Sequence, residues 1–341
     1  MLIAADATYT LDPNPTGVSV YSNELLNGMA RAHPKTSFLF CYRPHRFFPG
    51  LSQPLRNNVW RWPLLDRGPR PGLLFHGLNQ RLPARRWPLQ VATFHDLFVM
   101  SREYSSPEFR VRFTAQAQHA AENADRIIAV SRFTAQEVER WLRVDPEKIR
   151  VIPHGVRLPK TVHTDKEHLV LCVGSIQKRK NTARLVRAFA SMPQGWRLVL
   201  AGGQGYGANE AMLEIENSRR RADIEVADHV SAARLAGLYR RAGIFAFPSL
   251  DEGFGIPILE AMANGVPVIT SNRSAMPEVC GDAAIQVDPE SEGDLAEALH
   301  VLAGDAALRQ TLAGRGLARA GEFSWERAVE ATWSVYQELL R

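Results

Sequence analysis

The run Phe247-Pro-Ser-Leu-Asp-Glu-Gly-Phe-Gly-Ile-Pro-Ile-Leu-Glu-Ala-Met-Ala-Asn-Gly-Val-Pro-Val-Ile269 reads as strand, loop, short helix and strand in succession. The apolar stretch Ile244–Phe247 is a buried strand that stops at Pro248. A loop with Asp251, Glu252, Gly253 and Gly255 follows, and Pro257 suits the first turn of a helix, where its missing N–H leaves no bond unmade. Asn264-Gly265 ends that helix ahead of the next strand, Val266–Thr270. Glycines where a strand passes into a helix let a ligand approach the backbone, and unbonded N–H groups at a helix start favour phosphate, so the run predicts a diphosphate site. Glu252 in the loop and Glu260 in the helix can flank one ligand and accept hydrogen bonds from its hydroxyls. Taken alone, the same residues also fit a strand–helix turn with two solvated glutamates.

Outward from this unit, apolar runs alternate with amphipathic stretches along the whole chain, the pattern of parallel sheets covered on both faces. Strands are expected at Leu2–Ala5, Ser37–Tyr42, Val59–Trp62, Leu73–His76, Gln90–Phe94, Arg126–Val130 and Ile149–Ile152. A second set is expected at His168–Val173, Arg197–Leu200, Ile224–Val226, Ile244–Phe247, Val266–Thr270 and Ala284–Val287. Helices fit Tyr21–Ala32, Pro107–Asn123, Thr134–Leu142 behind an N-cap at Ser131, and Thr182–Ala190. At roughly 150 residues per domain the length predicts two domains. Pro153–Glu167, with two prolines and little apolar periodicity, suits the linker, so the domains are placed at residues 1–160 and 161–324. Residues 325–341 form a final helix whose broad apolar face, with Trp325, Trp333 and Tyr336, must dock on another surface.

Three further stretches carry chemistry. Val173-Gly-Ser-Ile-Gln-Lys-Arg-Lys-Asn181 ends the first strand of the second domain, and Arg179 and Lys180 there can neutralise a leaving nucleoside diphosphate, where negative charge grows in a transition state. Thr93-Phe94-His95-Asp96 closes an apolar strand at the end that faces a crevice in such folds. Asn14-Pro15-Thr16-Gly17-Val18-Ser19 is a glycine loop ahead of a helix.

With these residues in hand, the chain resembles glycosyltransferase family 4, the group 1 glycosyltransferases of GT-B fold. The hallmark is two glutamates separated by seven residues in a phrase such as Pro-Ser-x-x-Glu-Gly-Phe-Gly, intact here from Pro248 to Glu260. The phrase Gly-Ser-Ile-x-x-Arg-Lys-Asn resembles bacterial mannosyltransferase-type members, with Ser175 at the position where other members carry arginine, so that role passes to Arg179. The resemblance is strong from about residue 125 to 290 and weak between residues 35 and 90, where acceptor choice is expected. It implies two doubly wound Rossmann-like domains facing a central cleft, with the C-terminal helix crossing back to the first. It further implies that Glu252 holds hydroxyls of the transferred sugar, that Glu260 holds the nucleotide ribose, and that Arg179 and Lys180 meet the diphosphate. Gly17, Gly174, Gly253, Phe254 and Gly255 would line the donor, and His95 would approach its sugar. The implied reaction is retaining transfer of a hexose by front-face displacement. The donor is a GDP-, UDP- or ADP-linked sugar, GDP-mannose first among them, and the acceptor is a glycan or lipid-linked molecule of cell-surface polysaccharide assembly.

Charge and composition bound the alternatives. The sequence holds no Asp-x-Asp triplet and no metal-ligand spacing, so no metal and no other cofactor is expected. Cys41, Cys172 and Cys280 are odd in number and widely spaced, as reduced thiols in a cytoplasmic protein would be. Met1–Ala5 reads as a first strand and not as an export signal, and no apolar run approaches the roughly 20 residues of a membrane span. The net charge of +5 arises in the first half. From Arg43 to Arg86 nine arginines face one acid, Asp66, among Phe47, Phe48, Trp60, Trp62 and Trp87. Such a surface suits peripheral contact with the anionic inner face of a membrane, and no motif for nucleic acid accompanies it. The competing readings are a sugar-nucleotide epimerase-like or phosphorylase-like enzyme, or a non-catalytic nucleotide-sugar binder, on the same architecture.

Overall fold

The strands form where the continuous apolar runs place them, each within two residues of its expected ends. The computed structural model describes residues 1–12, 16–65, 69–101, 103–228 and 230–341. Asn14 and Pro15 of the glycine loop, and Asp66 and Arg67 of the arginine-rich segment, lie outside the described residues.

The chain divides into two units. One comprises residues 1–101, 107–155 and 324–341, and the other residues 103–106 and 156–323. The first unit is built on strands β1 (Leu2–Asp6), β2 (Ser37–Tyr42), β3 (Val59–Pro63), β4 (Leu74–Gly77), β5 (Leu89–Phe94), β6 (Arg126–Ala129) and β7 (Ile149–Val151). They make one parallel sheet in the order β3-β2-β1-β4-β5-β6-β7. The second unit has β8 (Glu167–Val173), β9 (Arg197–Ala201), β10 (Ile224–Ala227), β11 (Ala242–Phe247), β12 (Val268–Ser271) and β13 (Ala284–Val287), again parallel, in the order β10-β9-β8-β11-β12-β13. Both orders step outward from the first strand in one direction and then, from the fourth strand, in the other, which is the doubly wound Rossmann-like topology. Strands buried on both faces explain the near-continuous apolar runs. Every residue of β11 is buried, and Ile244 and Phe245 pair with Val170 and Leu171 of β8 at the centre of the sheet.

Helix starts follow their caps. Ser131 accepts the Thr134 N–H at 2.9 Å and opens the helix Arg132–Leu142. The first helix begins earlier than the expected Tyr21, because Thr16 caps it by accepting the Ser19 N–H. Gly17 is therefore the first residue of the helix Gly17–Ala32 and not a loop residue.

The C-terminal helix, Trp325–Leu340, crosses back to the first unit. Trp325, Val329, Trp333 and Tyr336 join the core that Ile3, Tyr21, Leu25, Met29 and Phe40 form on one face of the first sheet. Trp333 stacks on His33 with ring centroids 3.7 Å apart. Each aromatic ring of this kind removes about 150–250 Å² from water, roughly 4–6 kcal/mol of transfer free energy before entropy is subtracted, so the helix is part of the core and not a tail.

The basic segment is less aromatic at its surface than the sequence suggests. Phe48 and Trp60 are exposed, but Trp87 is 1% exposed and packs on Phe75, with the Arg70 guanidinium 4.6 Å above its ring. Phe47 packs against the core, and Trp62 against the cluster on the other face of the sheet. The three cysteines are free and buried.

Candidate active site

In the second sheet the order of winding reverses between the parallel strands β8 and β11, and the loops leaving the carboxyl ends of two such strands diverge to open a crevice. Both motif loops leave there, one at Gly174 and one at Pro248. The β8 loop makes a short turn, Lys178–Lys180, that ends at Asn181 in the left-handed conformation, φ 59°. Asn181 donates from Nδ2 to the carbonyls of Pro248 (3.1 Å) and Pro289 (2.7 Å), and the Leu250 N–H donates to the Arg179 carbonyl at 2.8 Å. The two loops are thereby stitched together.

Glu252 sits between the two expected cations. Its Oε2 is 2.8 Å from Arg179 Nη1, and its Oε1 is 2.5 Å from Lys180 Nζ. Arg179 Nη1 also donates to the Asp251 carbonyl at 2.6 Å, and the Lys180 ammonium lies 4.5 Å over the Phe247 ring. Gly174 has φ +127°, and a Cβ there would stand 3.3 Å from Lys180 Cε, so glycine leaves the lysine its room. Arg179 and Glu252 are each 7% exposed, so these charges depend on one another. Burial alone would raise the Glu252 carboxyl. Arg179 and Lys180 outweigh that and bring it down to about 2, while burial pulls Lys180 below the ordinary lysine value against the pull of Glu252. Two cations and one carboxylate leave a local surplus of positive charge.

The Glu252 peptide is fixed from the other side. Its N–H donates to Ser274 Oγ at 3.1 Å and its carbonyl accepts the Ala275 N–H at 3.3 Å, with Ser274 itself left-handed at φ 49°. Gly255, φ +101°, is the N-cap of the helix Ile256–Ala263, a conformation that a residue with Cβ rarely takes. Phe254 is 5% exposed and meets the Phe323 ring edge-on at 5.9 Å. Its side chain anchors the loop, so any donor contact by Phe254 falls to its backbone. Glu260, on the helix, accepts from the Tyr239 hydroxyl at 2.8 Å, and burial raises its carboxyl above the usual value. Among the described residues no group of three His, Cys, Asp or Glu side chains is arranged to hold a metal ion.

The first unit holds His95 at the carboxyl end of β5. Its Nε2–H donates to the Leu78 carbonyl at 2.8 Å, which leaves Nδ1 as the acceptor facing His154 Nε2 at 3.4 Å. The two rings are stacked, and Tyr21 of the helix Gly17–Ala32 meets both edge-on. Tyr21 and His76 converge on Thr93 Oγ1 at 2.9 and 2.8 Å, and His76 Nδ1 reaches the Tyr336 hydroxyl of the C-terminal helix at 2.6 Å. Burial lowers His95 to about 4, so its imidazole is neutral. Both of its ring nitrogens are engaged within this network, so a polarising contact with a sugar through either nitrogen requires the ring to exchange partners.

The family "Glycosyl transferases group 1" matches residues 158–317 and "Glycosyltransferase Family 4" matches residues 15–159. Over 284 residues the chain is 31% identical to O-antigen chain mannosyltransferase B of Escherichia coli, covering 78% of this chain and 74% of that protein. The chain belongs to glycosyltransferase family 4. The fold of this glycosyltransferase is that of sucrose-phosphate synthase from Thermosynechococcus elongatus, with a TM-score of 0.79 at 22% identity over 100% of this chain and 99% of that one. HepE of Anabaena, solved in complex with UDP and glucose, gives a TM-score of 0.76 at 18% identity over 98% and 99%. Both domains of the glycosyltransferase are thus the Rossmann-like domains of the GT-B class.

The fold brings together Glu252, Arg179, Lys180 and Gly174, four residues expected at the site from the sequence. Gly17 and His95 belong to the first unit, where Tyr21 links their elements. Several partners of these residues carry no motif. Ser274 and Tyr239 reach the site from segments 22 and 21 residues away in sequence, whereas Asn181 closes the Gly-Ser-Ile-x-x-Arg-Lys-Asn phrase and is one of the few residues that tolerate φ > 0.

Proposed function

We propose that the chain is a retaining, metal-independent hexosyltransferase that takes its sugar from a nucleotide-sugar donor, GDP-mannose first among the candidates. The acceptor is a glycan or lipid-linked molecule of cell-surface polysaccharide assembly. The observation that carries this reading is the pair Arg179 and Lys180, bound to Glu252 at the crevice between β8 and β11, beside the glycine-capped helix Ile256–Ala263. Two cations and a helix N-terminus meet the two negative charges of a sugar-linked diphosphate, the charge a metal ion would otherwise meet. The mannosyltransferase name of the Escherichia coli relative supports the sugar, and the UDP and glucose bound by HepE support a nucleotide-linked donor.

In this mechanism Lys180 and Arg179 stabilise the leaving diphosphate, Glu252 accepts hydrogen bonds from the sugar, and Glu260 accepts from the ribose. The leaving phosphate takes the proton of the acceptor hydroxyl as that hydroxyl attacks the same face. His95 serves as a neutral contact. No helix among the described residues is long and apolar enough to cross a membrane. Phe48, Leu51, Trp60 and Leu65 are exposed among the arginines of residues 43–86, which supports a cytoplasmic protein that rests on the inner face of a membrane. A panel of GDP-, UDP- and ADP-sugars, assayed with and without chelator and with the anomeric configuration read by NMR, tests the reading. Transfer from one donor, with retention and undiminished by chelator, is the expected result. An inverted product, or loss of all turnover with chelator, would overturn the mechanism.

A further inference from the structure

The carboxylate of Glu252 and a bound diphosphate have a claim on the same two cations. With the site as described, Glu252 uses both oxygens on Arg179 and Lys180, and all three side chains are about nine-tenths buried. A sugar nucleotide brings two negative charges on its diphosphate. Those two charges match the two cations, and Glu252 then becomes a surplus buried carboxylate beside phosphate oxygens. A buried charge without partners is strongly unfavourable, so Glu252 must find other donors as the diphosphate arrives. The sugar hydroxyls that travel with the donor are such donors.

We propose that Glu252 is a built-in competitor for the nucleoside diphosphate: it yields Arg179 and Lys180 to the donor and takes them back after transfer, expelling the product. This rests on the reading of Arg179 and Lys180 as the diphosphate seat. While the donor is intact, Glu252 accepts from the sugar and the cations hold the diphosphate. Once the sugar has moved to the acceptor, those hydroxyls depart with it. Glu252 is left next to a nucleoside diphosphate with no hydroxyls to accept from, and its return to the cations satisfies both of its oxygens again. Loading needs the whole sugar nucleotide, whereas the spent nucleotide meets a competitor held in the same loop. The Ser274 and Ala275 contacts fix the backbone of Glu252, so the exchange is a side-chain rotation and needs no loop opening.

Calorimetric titration of the full chain with GDP, UDP and pyrophosphate tests this in wild type, Glu252→Gln and Lys180→Ala. Glu252→Gln is expected to bind the preferred nucleoside diphosphate at least about tenfold tighter while losing transfer, and Lys180→Ala to bind it more weakly. The tightening should persist at about 0.5 M salt, since a contact between buried groups is screened far less than a general field. Equal or weaker binding by Glu252→Gln, or tightening seen only at low salt, overturns the competitor role and leaves the site assignment standing if Lys180→Ala still loses affinity. Unchanged binding by Lys180→Ala overturns the site assignment itself. Should Glu252→Gln fail to fold, Glu252→Asp keeps the charge but withdraws it from the cations, and a tightening of about threefold is expected. Unchanged or weaker binding there overturns the proposal equally.

Discussion

Ser274 holds a left-handed conformation, φ 49°, and its hydroxyl receives the Glu252 N–H. A non-glycine residue there stores roughly 1–2 kcal/mol of strain, so Ser274→Gly relieves strain and deletes the hydrogen-bond acceptor in one change. The lost hydrogen bond and the added unfolded-state freedom of glycine offset the relieved strain, so the chain should stay within about 1 kcal/mol of wild type in urea melts while the rate of transfer falls. Unchanged transfer would show that Ser274 has no part in placing Glu252. At the same scale, three buried histidines set an acid limit. Burial lowers His76 to about 3 and His95 to about 4, and takes His154 well below 6.5. The unfolded chain binds protons near pH 6.5 that the native imidazoles refuse, so their contribution is complete above about 6.5 and is lost as pH falls toward 4. His95 alone represents on the order of 3 kcal/mol by this reckoning. Glu252 is held down to about 2, so its contribution is lost only at more acidic pH, as the medium falls below the usual carboxylate range. Urea midpoints should therefore drop between about pH 7.5 and pH 5. Equal midpoints would contradict a neutral buried trio.

Among the elements, the strands were the most legible, because burial on both faces writes a continuous apolar run that a half-exposed strand would break. Residues such as Trp87 were not legible, since an aromatic among arginines looks like surface until the sheet places Phe75 beneath it. Gly17 looks like a loop residue in sequence because Thr16 carries no helical periodicity, whereas its hydroxyl caps the helix that Gly17 begins. The C-terminal helix was legible as an apolar face, and its return to the first domain followed from the family resemblance, but its individual partners were not legible, because nothing in Trp325–Leu340 encodes His76 or His33. Gly155 marks that landing place. A Cβ on it would stand 2.2 Å from the Trp325 backbone nitrogen, and backbone cannot give way as a side-chain tip can. Gly155→Ala should destabilise the fold by about 2–4 kcal/mol in denaturant melts, with earlier exposure of tryptophan fluorescence. A stability within about 0.5 kcal/mol of wild type would show that the helix start is not held against Gly155.

For the molecule as a whole, Glu252, Glu260 and Lys180 stand out in the sequence because fixed spacing in a fixed context is rare by chance. How they pair was not, because Lys180 and Glu252 meet only through the adjacency of β8 and β11, two strands with β9 and β10 between them in the chain. The same topology explains why Asn181 matters. It ties the end of one motif to Pro248 at the start of the other, so a contact between the loops adds to strand adjacency in holding cation and carboxylate together. In the proposed reaction this junction holds the diphosphate of a sugar donor during transfer. The most direct test is kcat/KM for the preferred nucleotide sugar in Lys180→Ala, alongside a denaturant melt to show that the variant is folded. The predicted result is a loss of about 100-fold or more with near-native stability, and a folded Lys180→Ala protein with wild-type transfer would contradict the claim.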